Sequence, residues 1–131
     1  MSEHPTVFPT MSYRDAGAAI EFLQRAFGAE PHAVYRDENG HVRHAELKLG
    51  NGMVMLGEAE TTAGGGVYVV VPQPDEHCAR AREAGAEIVR EPNDTDYGSR
   101  EYGARDPEGL AWHFGTYQPF TAAPTAPEGD G

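Results

Sequence analysis

His44 and Glu46 stand two residues apart in the alternating run His-Ala-Glu-Leu-Lys-Leu, which puts both polar side chains on one strand face. An imidazole beside a carboxylate suits proton transfer, and either group can hold a polar ligand atom. His113 lies between Trp112 and Phe114 and so points away from both rings. Its same-face neighbours, Ala111 and Gly115, are small and leave room around it. Glu58, two residues beyond the apolar run Met53–Leu56, is a further carboxylate able to act as a base. Tyr97 and Arg100 sit in or beside a turn-rich stretch, where a loop can close over a bound molecule. His44, Glu46, Glu58, Tyr97, Arg100 and His113 form the candidate ligand-binding set, and no catalytic role is assigned within it. His32, His41 and His77 read as exposed, and His4 falls in a frayed N-terminus. The sequence contains no Gly-rich phosphate loop, GxSxG elbow or H-E-x-x-H pair.

The elements that must position these groups are written twice. A helix-like stretch closes on Phe27-Gly28-Ala29-Glu30, and another closes on Ala84-Gly85-Ala86-Glu87, roughly half a chain later. A period above about 50 residues used only twice is too sparse for a solenoid, which needs about three or more units. Two pseudo-equivalent halves with a concave seam fit better, and such seams hold small ligands.

In the first half, Val7–Tyr13 reads as a strand that Pro9 confines to an edge or bulge. Asp15 caps a helix whose apolar face is Ile20, Leu23 and Phe27, and Gly28 ends it. Asn39-Gly40 and Asn51-Gly52 predict type I′ turns joining strands at Ala33–Tyr35, Val42–Leu49 and Met53–Leu56. After the glycine hinge 64–66, Val67–Val71 predicts a strand buried on both faces. A second helix starts at Pro74 or Asp75 and stops at Gly85. Glu87–Arg90 predicts a strand and Pro92–Gly98 a loop. Strands Arg100–Arg105 and Leu110–Thr116 flank Asp106-Pro107-Glu108-Gly109, a type I turn. Trp112 and Phe114 are expected in the core. The expected fold class is α+β: two βαβββ modules, about 5–60 and 66–118, forming a curved mixed sheet around a cavity. One domain would span 1–120, followed by a disordered tail over 121–131.

With 131 residues, the chain has the length of one domain. Its 21 acidic and 10 basic residues, a formal charge of −11, and the lack of any Lys/Arg run exclude nucleic acid as a partner. The charge chiefly serves solubility and weakly favours a cationic ligand. No apolar stretch approaches the roughly 18 residues that cross a bilayer, so no membrane partner is expected. The first ten residues lack a signal pattern, and the cytoplasm is the expected location. The lone Cys78 excludes an intrachain disulfide and a Cys-based zinc site, and reads as a small buried residue.

Tyr13-Arg-Asp15, Ala19-Ile-Glu-Phe-Leu23, Ala26-Phe-Gly28, His44-Ala-Glu-Leu47, Gly52-Met-Val-Met-Leu56 and DTDYGSREYGARDPEGLAWHFGTY over 94–117 carry a resemblance. Together they are similar to the vicinal oxygen chelate superfamily, the glyoxalase, bleomycin-resistance and extradiol-dioxygenase group. The match covers roughly 5–118 and is closest to small bacterial members. It implies paired βαβββ units around a cavity, and in many members a homodimer.

Metal-using members hold a divalent ion with His or Glu on the first and last strands of each half. Carried onto this chain, those positions fall on Phe8 or Pro9, near Leu56, on Gly66 or Val67, and on His113. Only His113 is a ligand, and one imidazole does not make the three- or four-ligand shell such ions need. No metal and no cofactor are therefore expected. The expected function is binding of a small organic molecule in the cavity. The alternative is a metal-dependent lyase, isomerase or dioxygenase acting on vicinal oxygens, with His113 or Glu58 as base. A dimeric regulatory module with a decayed cavity is a third reading.

Overall fold

Asp15 starts the first helix as its position predicts. In the computed structural model of the chain, which describes residues 4–121, β1 (Thr10–Tyr13) leads into α1 (Ala16–Phe27). The Asp15 carboxylate accepts the Ala18 N–H at 3.0 Å, satisfying a donor that the first turn leaves free. Ala19, Ile20, Leu23, Ala26 and Phe27 face inward. Gly28, at φ 78°, ends the helix in the left-handed region, which a side chain would strain. The tail assigned to 121–131 lies, beyond Thr121, outside the described residues.

Three strands follow: β2 (Glu30–Arg36), β3 (Val42–Leu49) and β4 (Gly52–Glu58). Both connecting turns sit one step away from their expected place. Gly40 N–H bonds to the Asp37 carbonyl at 3.0 Å, so Glu38 and Asn39, rather than Asn39 and Gly40, are central. The Asp37 carboxylate fixes that loop by accepting from Asn39 and His41 N–H. In the second turn Leu49 pairs with Gly52, leaving Gly50 and Asn51 as the two-residue loop. Gly50 takes φ 61° there, the value a type I′ turn asks of its first central residue.

The second half repeats the order with β5 (Val67–Val70), α2 (Pro74–Glu83), β6 (Glu87–Asp94), β7 (Arg100–Arg105) and β8 (Ala111–Gly115). The strands form two mixed four-stranded sheets, ordered β1-β4-β3-β2 and β5-β8-β7-β6. In each, the strand before the helix runs parallel to the last strand of its half. The fold class is α+β, with the curved surface divided into two separate ladders.

Three of the departures from the sequence reading have a local physical reason. β1 begins at Thr10, because Pro9 has no N–H to give; its carbonyl still accepts from Met55 at 3.0 Å. β5 is an edge strand rather than a doubly covered one, and Tyr68 and Val70 are exposed. A run apolar on both faces reports composition but not whether a neighbouring strand exists. β6 continues through Pro92 to Asp94, pairing Asn93 with Glu101 and Asp94 with Arg100. Its edge position and register shifts accommodate the proline.

One continuous core joins the halves. Phe27 of α1 lies 5.3 Å from the Trp112 ring and 4.7 Å from Phe114, both on β8. Asp106, buried in the β7–β8 turn, accepts from Tyr13 Oη at 2.6 Å, Trp112 Nε1 at 3.1 Å and Leu110 N–H at 3.0 Å. Glu108 of the same turn accepts the backbone N–H groups of Arg14 and Asp15. Arg80 of α2 donates to the Arg25 and Gln24 carbonyls that end α1, neutralising the negative end of that helix. Cys78 is buried, and burial pushes its thiol up from the ordinary range.

Candidate functional site

Each sheet turns one face to the helices and leaves the other open. On β3, Ala45, Leu47 and Leu49 are buried, so His44, Glu46 and Lys48 occupy the open face. His44 Nε2 and Glu46 Oε2 are 2.9 Å apart. Tyr35 of β2 pairs with His44 across the ladder and stacks on it, with centroids 6.0 Å apart and planes at 26°. Glu46 pairs with Met55 and Lys48 with Met53 on β4. The first open face is therefore a hydrogen-bonded imidazole–carboxylate pair flanked by an aromatic ring and two thioethers.

On the second sheet, Tyr102, Ala104, Trp112 and Phe114 are buried against the helices. Glu101, Gly103, His113 and Gly115 therefore face outward. His113 pairs with Tyr68 on one side and Gly103 on the other. A Cβ at Gly103 would come within 3.3 Å of His113 Nδ1, so this glycine makes room for the imidazole. Glu101 is 8% exposed, the most enclosed carboxylate on either open face. Tyr97 Oη donates to its Oε2 at 2.7 Å, and that bond raises the tyrosine's pKa.

His44 and Glu46 thus come together on one open face, and Tyr97 and His113 share the other. Glu58 joins neither. Its Oε2 lies 2.5 Å from His41 Nδ1, and its Oε1 accepts the Ala16 N–H at 3.1 Å at the start of α1. Arg100 points away from Glu101, its neighbour in sequence. It grips Asp75 with two nitrogens, at 2.8 and 3.0 Å, and Asp94 at 3.2 Å, tying α2 to β6. His77, expected on the surface, is half-buried between Phe27 and Phe114, with Nδ1 2.5 Å from Tyr102 Oη. Burial lowers its pKa, offset in part by a hydrogen bond to the Phe27 backbone. Glu101 belongs with Tyr97 and His113 although sequence alternation alone does not single it out. Its signal is its register opposite Gly115, where a carboxylate meets no competing side chain.

A groove of about 270 Å³ runs between the halves, along the free edge of β5 and past Val7, Pro9 and the Gly50–Asn51 loop. This is the seam expected from the duplication. The donor set does not fit a family-type divalent ion. Leu56 is buried on the helix side and Val67 packs against the core, which leaves Met55 and Tyr68 as the open-face residues nearest those positions. The first-strand position, Phe8 or Pro9, offers no ligating side chain, and across the four positions only the His113 imidazole on inner strand β8 is a strong ligand. Among the described residues, no three His, Cys, Asp or Glu side chains converge as a metal site.

Residues 6–114 match the family model described as Glyoxalase/Bleomycin resistance protein/Dioxygenase superfamily. The crystal structure of TioX from Micromonospora sp. ML1 is 33% identical, aligns over 89% of this chain and 100% of its own, and gives a TM-score of 0.75. Glyoxalase I from Zea mays shares the fold at 19% identity, with 84% of this chain aligned to 43% of that one and a TM-score of 0.68. An uncharacterised Mycobacterium tuberculosis protein is 29% identical over 125 residues, covering 85% of this chain and 74% of its own length. The paired βαβββ order and the matched span agree: the chain belongs to the glyoxalase/bleomycin resistance protein/dioxygenase superfamily.

Proposed function

We propose that this chain binds a small organic molecule on its open sheet faces, as a cytoplasmic homodimer of bacterial origin and without a family-type metal. The observation that carries the reading is the make-up of those faces. Each sets a hydrogen-bonded polar pair, His44–Glu46 or Tyr97–Glu101, beside exposed aromatic surface. A few convergent polar groups within apolar walls is how small-molecule sites obtain orientation and affinity together. Exposed Tyr35, Tyr68, Val70 and Val89 lie on shallow surfaces in a single chain. A second copy would wall them in and deepen the site. Among the described residues no helix is long and apolar enough to cross a membrane.

A thermal-shift screen across neutral aromatic, anionic, polyamine and antibiotic compounds tests this reading, since a ligand that prefers the native state raises its melting temperature. Stabilisation that disappears in His44→Ala or His113→Ala supports it, and no shift with any class defeats it. Sedimentation velocity reads the dimer. Elemental analysis with EDTA treatment reads the metal: stoichiometric divalent ion, with stability lost on chelation, would favour the lyase, isomerase or dioxygenase alternative.

A further inference from the structure

Around Glu101 the second open face assembles three tyrosines from three separate segments. Tyr97 comes from the loop before β7, Tyr68 from β5 and Tyr117 from the chain just after β8. Tyr97 and Tyr117 meet edge to face with centroids 5.6 Å apart. Tyr68 Oη donates to the Tyr117 carbonyl at 2.9 Å, which fixes its ring beside that pair. Gly115 lets them close in, because a Cβ there would lie 2.5 Å from Glu101 Cγ and 2.8 Å from Tyr68 Oη. All three tyrosines remain exposed, at 36% for Tyr68, 58% for Tyr97 and 37% for Tyr117, while the carboxylate between them is at 8%.

Ring faces carry negative potential, and a carboxylate at their base adds a full charge in a partly desolvated setting. Glu101 is held in place but incompletely paired. Its Oε2 takes the Tyr97 hydroxyl, whereas Oε1 faces Arg90 Nη2 only at 3.6 Å, beyond hydrogen-bond reach. Arg90 is itself half exposed, on edge strand β6. The nearby Arg100 is neutralised by Asp75 and Asp94.

We infer that Tyr68, Tyr97 and Tyr117 around Glu101 form a subsite for an organic ammonium group, with Arg90 occupying the carboxylate until the cation arrives. This rests on the small-molecule reading above and names the chemical class of the ligand.

The probe is benzyltrimethylammonium, titrated calorimetrically into the full chain beside neutral benzyl alcohol and anionic benzoate. The cation is expected to bind about ten-fold tighter than the alcohol, the scale of a partly desolvated cation–π contact. Glu101→Gln keeps an acceptor for Tyr97 and removes the charge; it should weaken cation binding about ten-fold and leave benzyl alcohol unchanged. Tyr97→Leu should weaken the cation as well. Arg90→Ala should strengthen the cation about three-fold, a gain that loss of a merely structural ion pair would not produce. Melting curves of each variant confirm that it is folded. Equal affinity for cation and alcohol, an unaltered Glu101→Gln, or an Arg90→Ala variant that gains nothing would overturn the inference. If neutral or anionic compounds bind while the cation does not, the subsite fails and the wider reading survives. If no compound of any charge binds, both fall.

Discussion

Tyr13 Oη and Asp106 Oδ2 are 2.6 Å apart although 93 positions separate them in the chain. The tyrosine ends β1 of the first half, and the carboxylate opens the last turn of the second. Burial and the carboxylate together push the Tyr13 pKa far above its ordinary value, so the hydroxyl keeps its proton and donates throughout the accessible pH range. Removing Asp106 strands several donors at once, because Trp112 Nε1 and the Leu110 and Glu108 N–H groups share that side chain. Asp106→Ala should destabilise the chain by about 4 kcal/mol and Tyr13→Phe by about 2 kcal/mol. Urea unfolding midpoints check both, and similar losses for the two variants would contradict the shared-acceptor arrangement.

Two glycines should respond in opposite directions. A Cβ at Gly57 would lie 2.7 Å from the Arg43 carbonyl oxygen, a backbone atom with little freedom to yield. Gly57→Ala is expected to cost about 2 kcal/mol. At Gly17, in the first turn of α1, a Cβ would meet only Asp15 Oδ1, in ordinary contact at 3.8 Å. Gly17→Ala is expected to stabilise by about 0.5–1 kcal/mol through helix propensity. Thermal melts of the two variants read the contrast directly.

Half-buried His77 makes stability depend on pH. Its folded pKa is lowered, chiefly by burial and further by Arg80, with the Phe27 backbone acting the other way. The unfolded chain therefore binds the proton more readily than the folded one. The stabilising contribution is complete above the ordinary histidine value near 6.5 and falls as pH drops toward the folded pKa, by at most about 1.4 kcal/mol per unit. Glu108 and Asp75, whose pKa values are lowered, lose their contributions at more acidic pH. His77→Gln should flatten the decline just below neutrality and leave the acidic limb. An unchanged slope between pH 6.5 and 5 would refute this assignment.

Arg100 should behave as a clamp. Its contacts run to Asp75 and Asp94 rather than to either open face. Arg100→Ala is expected to lower the melting temperature slightly and leave ligand affinity unchanged, whereas Glu101→Gln does the reverse. Measuring both quantities on both variants separates neighbours that face opposite ways.

Local chemistry explains which parts of the fold were readable. Asp15, the spacing of Ile20, Leu23 and Phe27, and Gly28 marked α1 because cap, period and terminator agree within one short segment. The hairpins were readable in kind but off by one step, since glycines at 50 and 52 compete for one loop and only pairing decides. The edge position of β5 depends on a neighbour that its residues do not encode. Glu101 escaped notice because its burial is supplied by Tyr97 and by the bare Gly115 backbone on another strand. Alternation did place His44 with Glu46, since both lie on one strand and need no distant partner.

The hydrogen bond from Tyr13 to Asp106 runs one way only. The β3–β4 loop, which stands in the first half where the Asp106 turn stands in the second, is Gly50–Asn51 and offers no carboxylate in return. Two first halves joined together would lack the acceptor, and two second halves the tyrosine, so neither half of this chain can replace the other without losing the latch.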